Sequence, residues 1–237
     1  MFKQYISDYQ PMKDALEQMG FRRKNRYEYF KMEDDARLSI EFGHSTHNQH
    51  HVRYYAMFIF VSYPCEKELQ QKIKIILPDF GGNLGNFSPE RSFQNWRVAE
   101  DDSPEEITNT INAMAKRLHD VALPLFSSMT TIPNITRLLE KKEIPRFALN
   151  PHTHLPVYYI LLGRQEEALK YAEEHEAQMR KAYEEEFKKY AEEIAYNKNA
   201  ERPQANNLEN YQLFTHRIRY YIKNGCAEEG VEPWIIP

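Results

Sequence analysis

Cysteine is nearly absent from this chain. Cys65 and Cys226 are the two, far apart and in no C-x-x-C pair, which removes a disulfide framework and makes a reducing cytoplasm the expected setting. Long hydrophobic runs are missing as well. The longest, Ala56 to Val61, falls far short of the ~20 residues that a bilayer span requires. The opening MFKQYISDYQPMKD has no apolar stretch of the signal-peptide kind. Charge of one sign is not in excess either: 31 Lys and Arg stand against 35 Asp and Glu, a net charge of −4. That balance argues against a dedicated nucleic-acid binder with a strong positive field. Familiar catalytic signatures are lacking too. FGGNLG has no following GK[ST], and Asp79-Phe80-Gly81 has no preceding H-R-D. No G-x-S-x-G and no H-E-x-x-H occurs.

What is present is a folded, aromatic-rich chain, 41% hydrophobic with 16 Tyr and 13 Phe. A buried Tyr needs a partner for its hydroxyl, so many of these are expected where core meets surface. Spacing predicts a first helix over Tyr9–Met19, with Met12, Leu16 and Met19 on one face and Gly20 as its stop. FRRKNRYEYFKM alternates, with Phe21, Tyr27 and Tyr29 on one parity, and predicts a half-buried strand. ARLSIEF repeats the pattern with Leu38, Ile40 and Phe42 inward. VRYYAMFIFVSY is apolar on both parities and predicts a central strand. EKELQQKIKIIL fits a helix or a strand, and DFGGNLGNFSPERSFQ reads as a loop. Ser103, Pro104 and Glu106 form a capping-box pattern before a stripe of Ile107, Ile111, Met114, Leu118 and Val121, with Pro124 expected to end or kink that helix.

Strand signals stop near residue 130. TIPNITRLLEKK predicts a short helix and PRFALNPHTHLP a proline-punctuated link. YYILLGRQEEALKYAEEH has the spacing of a tetratricopeptide-type hairpin with Gly163 at its turn. One copy is not an array. A long helix is predicted from Arg164 to Tyr196, its stripe running through Ala172, Met179, Tyr183, Phe187, Tyr190 and Ile194. A last helix, LENYQLFTHRIRYYIKNG, stops at Gly225. The expected architecture is therefore α+β: an antiparallel sheet flanked by helices over residues 1–128, then an all-helical region over 129–237 that either stands alone or shares the first core.

The densest chemical signal is EFGHSTHNQHH. His44, His47 and His51, with His152 and His154 in NPHTHLP, are the candidate metal ligands, since imidazole suits zinc and related ions. A carboxylate to complete a set is missing from the loop itself. The plain alternatives are a polar hairpin tip and a pH-dependent loop. GFRRKNR is the densest basic cluster, but Glu28, Glu33, Asp34 and Asp35 follow at once and favour a solvated strand face.

The order of elements and several short stretches carry a resemblance: M-G-F-R-R-K (Met19 to Lys24), Tyr27-Glu28-Tyr29-Phe30, I-E-F-G-H-S (Ile40 to Ser45), N-W-R-V (Asn95 to Val98) and A-L-P-L-F (Ala122 to Phe126). In these the first 128 residues or so resemble a bacterial family of unknown function, number 4304 among such families. The resemblance implies a small cytoplasmic α+β domain with no established catalytic residues, similar in scale to immunity-type proteins of bacterial toxin systems, which act by binding. It carries over no residue. The resulting expectation is a non-enzymatic protein-binding module with no cofactor and no membrane span, its long helix serving as a partner-binding or dimer-forming surface. The rival is a metal-dependent hydrolase using some of the five histidines named above with a carboxylate from elsewhere in the chain.

Overall fold

The computed structural model describes residues 5–44, 51–144, 149–194, 196–197 and 201–235. The chain divides into two compact units, residues 1–64 with 79–135 and residues 65–78 with 136–237.

The first unit opens with α1 (Gln10–Gln18), which has Pro11 in its first turn and buries Met12 and Leu16. The basic stretch after it is a hairpin and not the single strand its alternation predicts. β1 (Arg22–Arg23) folds back on β2 (Glu28–Glu33). The Asn25 side chain makes the turn by accepting the backbone N–H of Tyr27 at 2.7 Å and of Glu28 at 3.0 Å. Tyr27 consequently faces out at 49% exposure, while Phe21 and Tyr29 are buried as expected. β3 (Ala36–His44) and β4 (Val52–Ser62) form the long antiparallel pair, with Leu38, Ile40 and Phe42 opposite Val61, Ile59 and Met57 on the core face.

The undecided segment EKELQQKIKIIL is a helix followed by a strand. α2 (Pro64–Ile73) ends at Lys74, which takes a left-handed φ of 64°, and β5 (Ile75–Ile76) follows. Residues 65–78 cluster with the helical unit.

The glycine stretch predicted as a loop contributes a strand. β6 (Phe80–Asn83) pairs with one half of β4, and β7 (Trp96–Ala99) pairs with the other. β4 is thus central, as its two apolar faces predicted. A close approach explains Gly81 and Gly43. Phe60 lies over Gly81, where a Cβ would sit 2.3 Å from its ring, and Phe58 lies over Gly43, where the gap would be 2.9 Å. These aromatic rings come closer to the glycine backbone than a residue with a Cβ would allow.

α3 (Pro104–Arg117) has the full capping box. Ser103 Oγ accepts the Glu106 N–H at 3.2 Å, and Glu106 accepts the Ser103 N–H at 2.7 Å. The chain does not leave the helical path at Pro124. A π-turn over Leu118–Ala122 widens the ladder before α4 (Leu123–Ser127), so the proline enters in the first turn of α4, where no N–H is required. α1 and α3 pack together.

α5 (Ile132–Glu140) spans the residue at which the second unit resumes. In that unit α6 (Pro151–Leu161) takes up PHTHLP, predicted as a link. Asn150 caps it by accepting the His152 N–H at 3.0 Å, and Pro151 occupies the first turn. Pro156 lies inside the helix and removes the donor that would reach the His152 carbonyl. The Tyr211 hydroxyl donates to that carbonyl instead, at 2.7 Å. After Gly163, at φ 74°, α7 (Gln165–Glu193) runs 29 residues, about 44 Å at 1.5 Å per residue. α6 and α7 make the hairpin predicted from YYILLGRQEEALKYAEEH, with Ala168 and Ala172 buried in it. α8 (Asn206–Asn224) packs on α7, and β8 (Trp234–Ile235) pairs in parallel with β5. Among the described residues no helix is long and apolar enough to cross a membrane.

Candidate functional site

The candidate histidines fall into both units and find separate partners. His44 ends β3, and its Nδ1 lies 3.3 Å from the Tyr5 hydroxyl. Burial, opposed by nearby arginines, pushes that hydroxyl up to about 12, so at neutral pH it keeps its proton and donates to the Phe42 carbonyl at 2.9 Å. His51 immediately precedes the return strand β4, and its Nδ1 is 2.9 Å from Glu100. His47 lies outside the described residues, so the tip of EFGHSTHNQHH does too. Among the described residues no group of three or more His, Cys, Asp or Glu is placed to hold a metal ion. The basic cluster is paired at close range: Arg23 and Arg26 both meet Asp8, the latter at 2.9 Å, and Lys24 meets Glu28 at 2.6 Å.

His154 is fully buried on α6. Its Nδ1 faces the Asn150 carbonyl at 2.9 Å and its Nε2 the Pro78 carbonyl at 3.1 Å. Beside it, Glu66 accepts from Gln70 at 2.9 Å and from Tyr158 at 3.2 Å, and lies 3.8 Å from His154 Nε2. Loss of water raises the Glu66 carboxyl above its ordinary value, with His154 pulling the other way. These buried polar groups satisfy one another, and their role is to fasten α2 to α6.

His152 has a different setting. With Tyr159, Tyr171 and His175 it lines a cleft of about 630 Å³ in the helical unit, whose charged lining includes Glu140, Lys142 and Glu174. The imidazoles of His152 and His175 stack face to face, with centroids 3.6 Å apart and planes 1° from parallel. Tyr171 places its hydroxyl 3.2 Å from His152 Nδ1, and Tyr211 meets His175 edge-on at 4.7 Å. Burial, opposed by Gln178, holds His175 below the ordinary histidine value, and among the described residues its buried Nδ1 has no geometrically sound hydrogen-bond partner. His175 was not among the sequence candidates. It lies three residues after Ala172 and four before Met179, on the face of the predicted stripe, and the fold of α7 against α6 brings it onto His152.

The predicted stripe of α7 divides in two. Its first half is covered by α6 and α8. Farther along, Tyr183, Phe187 and Tyr190 touch in sequence, with ring centroids 6.2 and 6.0 Å apart. Phe187 remains 39% exposed and Ile194 37%, and Arg202 lies over the Phe187 ring at 5.7 Å. From Ala182 to Ile194 five glutamates stand against two lysines. The stripe is therefore an apolar strip with an acidic margin.

The chain matches the family model described as "Domain of unknown function (DUF4304)" over residues 12–128. No curated protein and no solved structure matches it. The matched span holds the hairpin of β1 and β2, the long pair β3 and β4, the tryptophan strand β7 and the capped α3, the same stretches that carried the resemblance in sequence. Residues 12–128, just under half of the chain, are thus similar to the DUF4304 model, and the helices that follow lie beyond the match.

Proposed function

We propose that this protein is a non-enzymatic binding module that captures a protein partner through the distal half of α7. The observation that supports this reading is the stripe of Tyr183, Phe187, Tyr190 and Ile194, carried past the part of α7 that α6 and α8 cover. Tyr and other aromatic residues are frequent anchors of interfaces. The acidic margin specifies the complement: an apolar groove rimmed by Lys and Arg. Two copies of this strip would repel each other, which favours a different protein over self-association. In this reading the protein works in a reducing cytoplasm, and binding is itself the activity, as in immunity-type proteins of bacterial toxin systems.

The test is quantitative affinity capture with three baits: the unaltered chain, a Tyr183→Ala, Phe187→Ala, Tyr190→Ala variant, and a Lys170→Ala control on the same helix. A stoichiometric partner held by the first and third baits and lost by the second is the expected result. A partner retained equally by all three would refute the assignment to α7.

A further inference from the structure

A second surface, separate from the α7 stripe, has the form of a seat for a peptide strand. Its floor is β5. Ile75 is buried there, while Ile76 is 42% exposed. Lys74, held at φ 64°, turns its carbonyl toward two donors, the Trp234 N–H at 3.1 Å and Arg217 Nη1. Arg217 also donates to the Glu232 carbonyl at 3.1 Å, and its guanidinium lies 5.9 Å from the Trp234 ring centre. β8 thus occupies the seat through two pairs, Ile75 with Trp234 and Ile76 with Ile235. Ile235 is 67% exposed. So short a ladder is marginal by itself and is readily exchanged.

Among the described residues the charge balance of the seat is incomplete. Among the described residues no carboxylate pairs with Arg217, whose Nε is buried and lacks any partner. Glu232 lends only its backbone carbonyl, and Glu228 turns to His216 at 3.2 Å. A guanidinium whose Nε is shut off from water and whose Nη1 faces carbonyl oxygens gains from a carboxylate, which matches its two-pronged geometry. β8 does not supply one.

We infer that β5 and Arg217 form a docking seat for an extended peptide segment of a partner protein, one that carries a tryptophan and an adjacent carboxylate, and that β8 is its occupant in cis. Strand addition supplies the backbone bonds, the aromatic side chain supplies the anchor, and the carboxylate supplies what β8 lacks. A segment of that kind displaces β8, whereas one without the acid has no contact with which to overcome the tethered strand.

The experiment uses the full chain and two fluorescein-labelled peptides. One is Glu-Glu-Gly-Val-Glu-Pro-Trp-Ile, the sequence of residues 228–235. The other has Glu in place of the Pro that precedes Trp. Fluorescence anisotropy is recorded for the unaltered chain, for Trp234→Ala, and for Trp234→Ala with Arg217→Gln. Trp234→Ala should bind the first peptide at least about tenfold more tightly than the unaltered chain, a gain of ~1.4 kcal/mol. It should bind the acidic peptide more tightly still, and Arg217→Gln should erase that advantage. Equal binding by Trp234→Ala and the unaltered chain overturns the seat, and an acidic advantage that survives Arg217→Gln overturns the role of the arginine. Circular dichroism checks that each variant is folded. Should Trp234→Ala unfold, the unaltered chain is photo-crosslinked with excess peptide bearing benzoylphenylalanine in place of tryptophan. Adducts within Lys74 to Leu77 support the seat, and adducts confined elsewhere refute it.

Discussion

At the scale of single residues, the face-to-face pair of His152 and His175 sets a pH dependence with a definite sign. Two imidazoles 3.6 Å apart repel if both carry charge, and burial already depresses the proton affinity of His175. A base whose folded-state value lies below its unfolded value of 6.5 binds more protons when unfolded. Its stabilising contribution is therefore complete above about pH 6.5 and is lost as pH falls from there through the folded-state value. Urea unfolding at pH 7.5 and pH 5.5 should show a smaller acid-side loss for His175→Phe, which keeps a ring in the stack, than for the unaltered chain. In nuclear magnetic resonance the His175 ring protons should titrate below 6.5. A midpoint above 6.5, or the same pH loss in the variant, would count against the stack as the cause. Glu66 acts in the opposite sense. Its carboxyl is raised by burial, so its contribution is present below about pH 4.5 and fades as pH rises.

At the scale of elements, α6 shows how a helix keeps a proline. Pro156 leaves the His152 carbonyl without its helical donor, and Tyr211 on α8 supplies one at 2.7 Å. Tyr211→Phe should cost about 1–2 kcal/mol through the orphaned carbonyl. The loss should shrink in a Pro156→Ala background, where the helix regains its own N–H. Equal losses in the two backgrounds, read from urea unfolding, would show that the hydroxyl and the proline are not coupled. The same helix marks the limit of sequence reading. Periodicity revealed α1, α3, α7, α8 and β3, because each has one apolar face set by one packing surface, and β4 was legible from an apolar run on both parities. It misjudged PHTHLP, whose buried residues surround the helix with no polar side to betray a period, and Phe80–Asn83, where glycines serve the rings above them. It joined β1 to β2 because side-chain alternation does not register the Asn25 turn. Of the cleft, His152 was legible as a candidate ligand, while its pairing with His175 depends on a contact across 23 residues that no local pattern contains.

For the molecule as a whole, the two units are interleaved along the chain. Residues 65–78 sit inside the DUF4304 span, yet their partners lie far downstream: Glu66 meets Tyr158 and His154, Lys74 meets Arg217, and β5 meets β8. A chain cut after residue 128 keeps α2 and β5 and loses every one of those partners. Such a fragment should expose Leu69, Ile73, Ile75 and Leu77, all buried in the full chain, and should bind a hydrophobic dye such as anilinonaphthalene sulfonate where the full chain does not. A fragment as dye-free and as cooperative in unfolding as the full chain would show that this segment needs no downstream partner. The interleaving also bears on time. On a ribosome, the 57 residues from 79 to 135 are made after α2 and β5 and before the rest of their unit begins. At about 5–20 residues per second that is a wait of roughly 3 to 11 s. Over that interval an apolar segment stands in the nascent chain without its packing partners, so the pace of synthesis and the chaperones that meet it early become part of how this fold is reached.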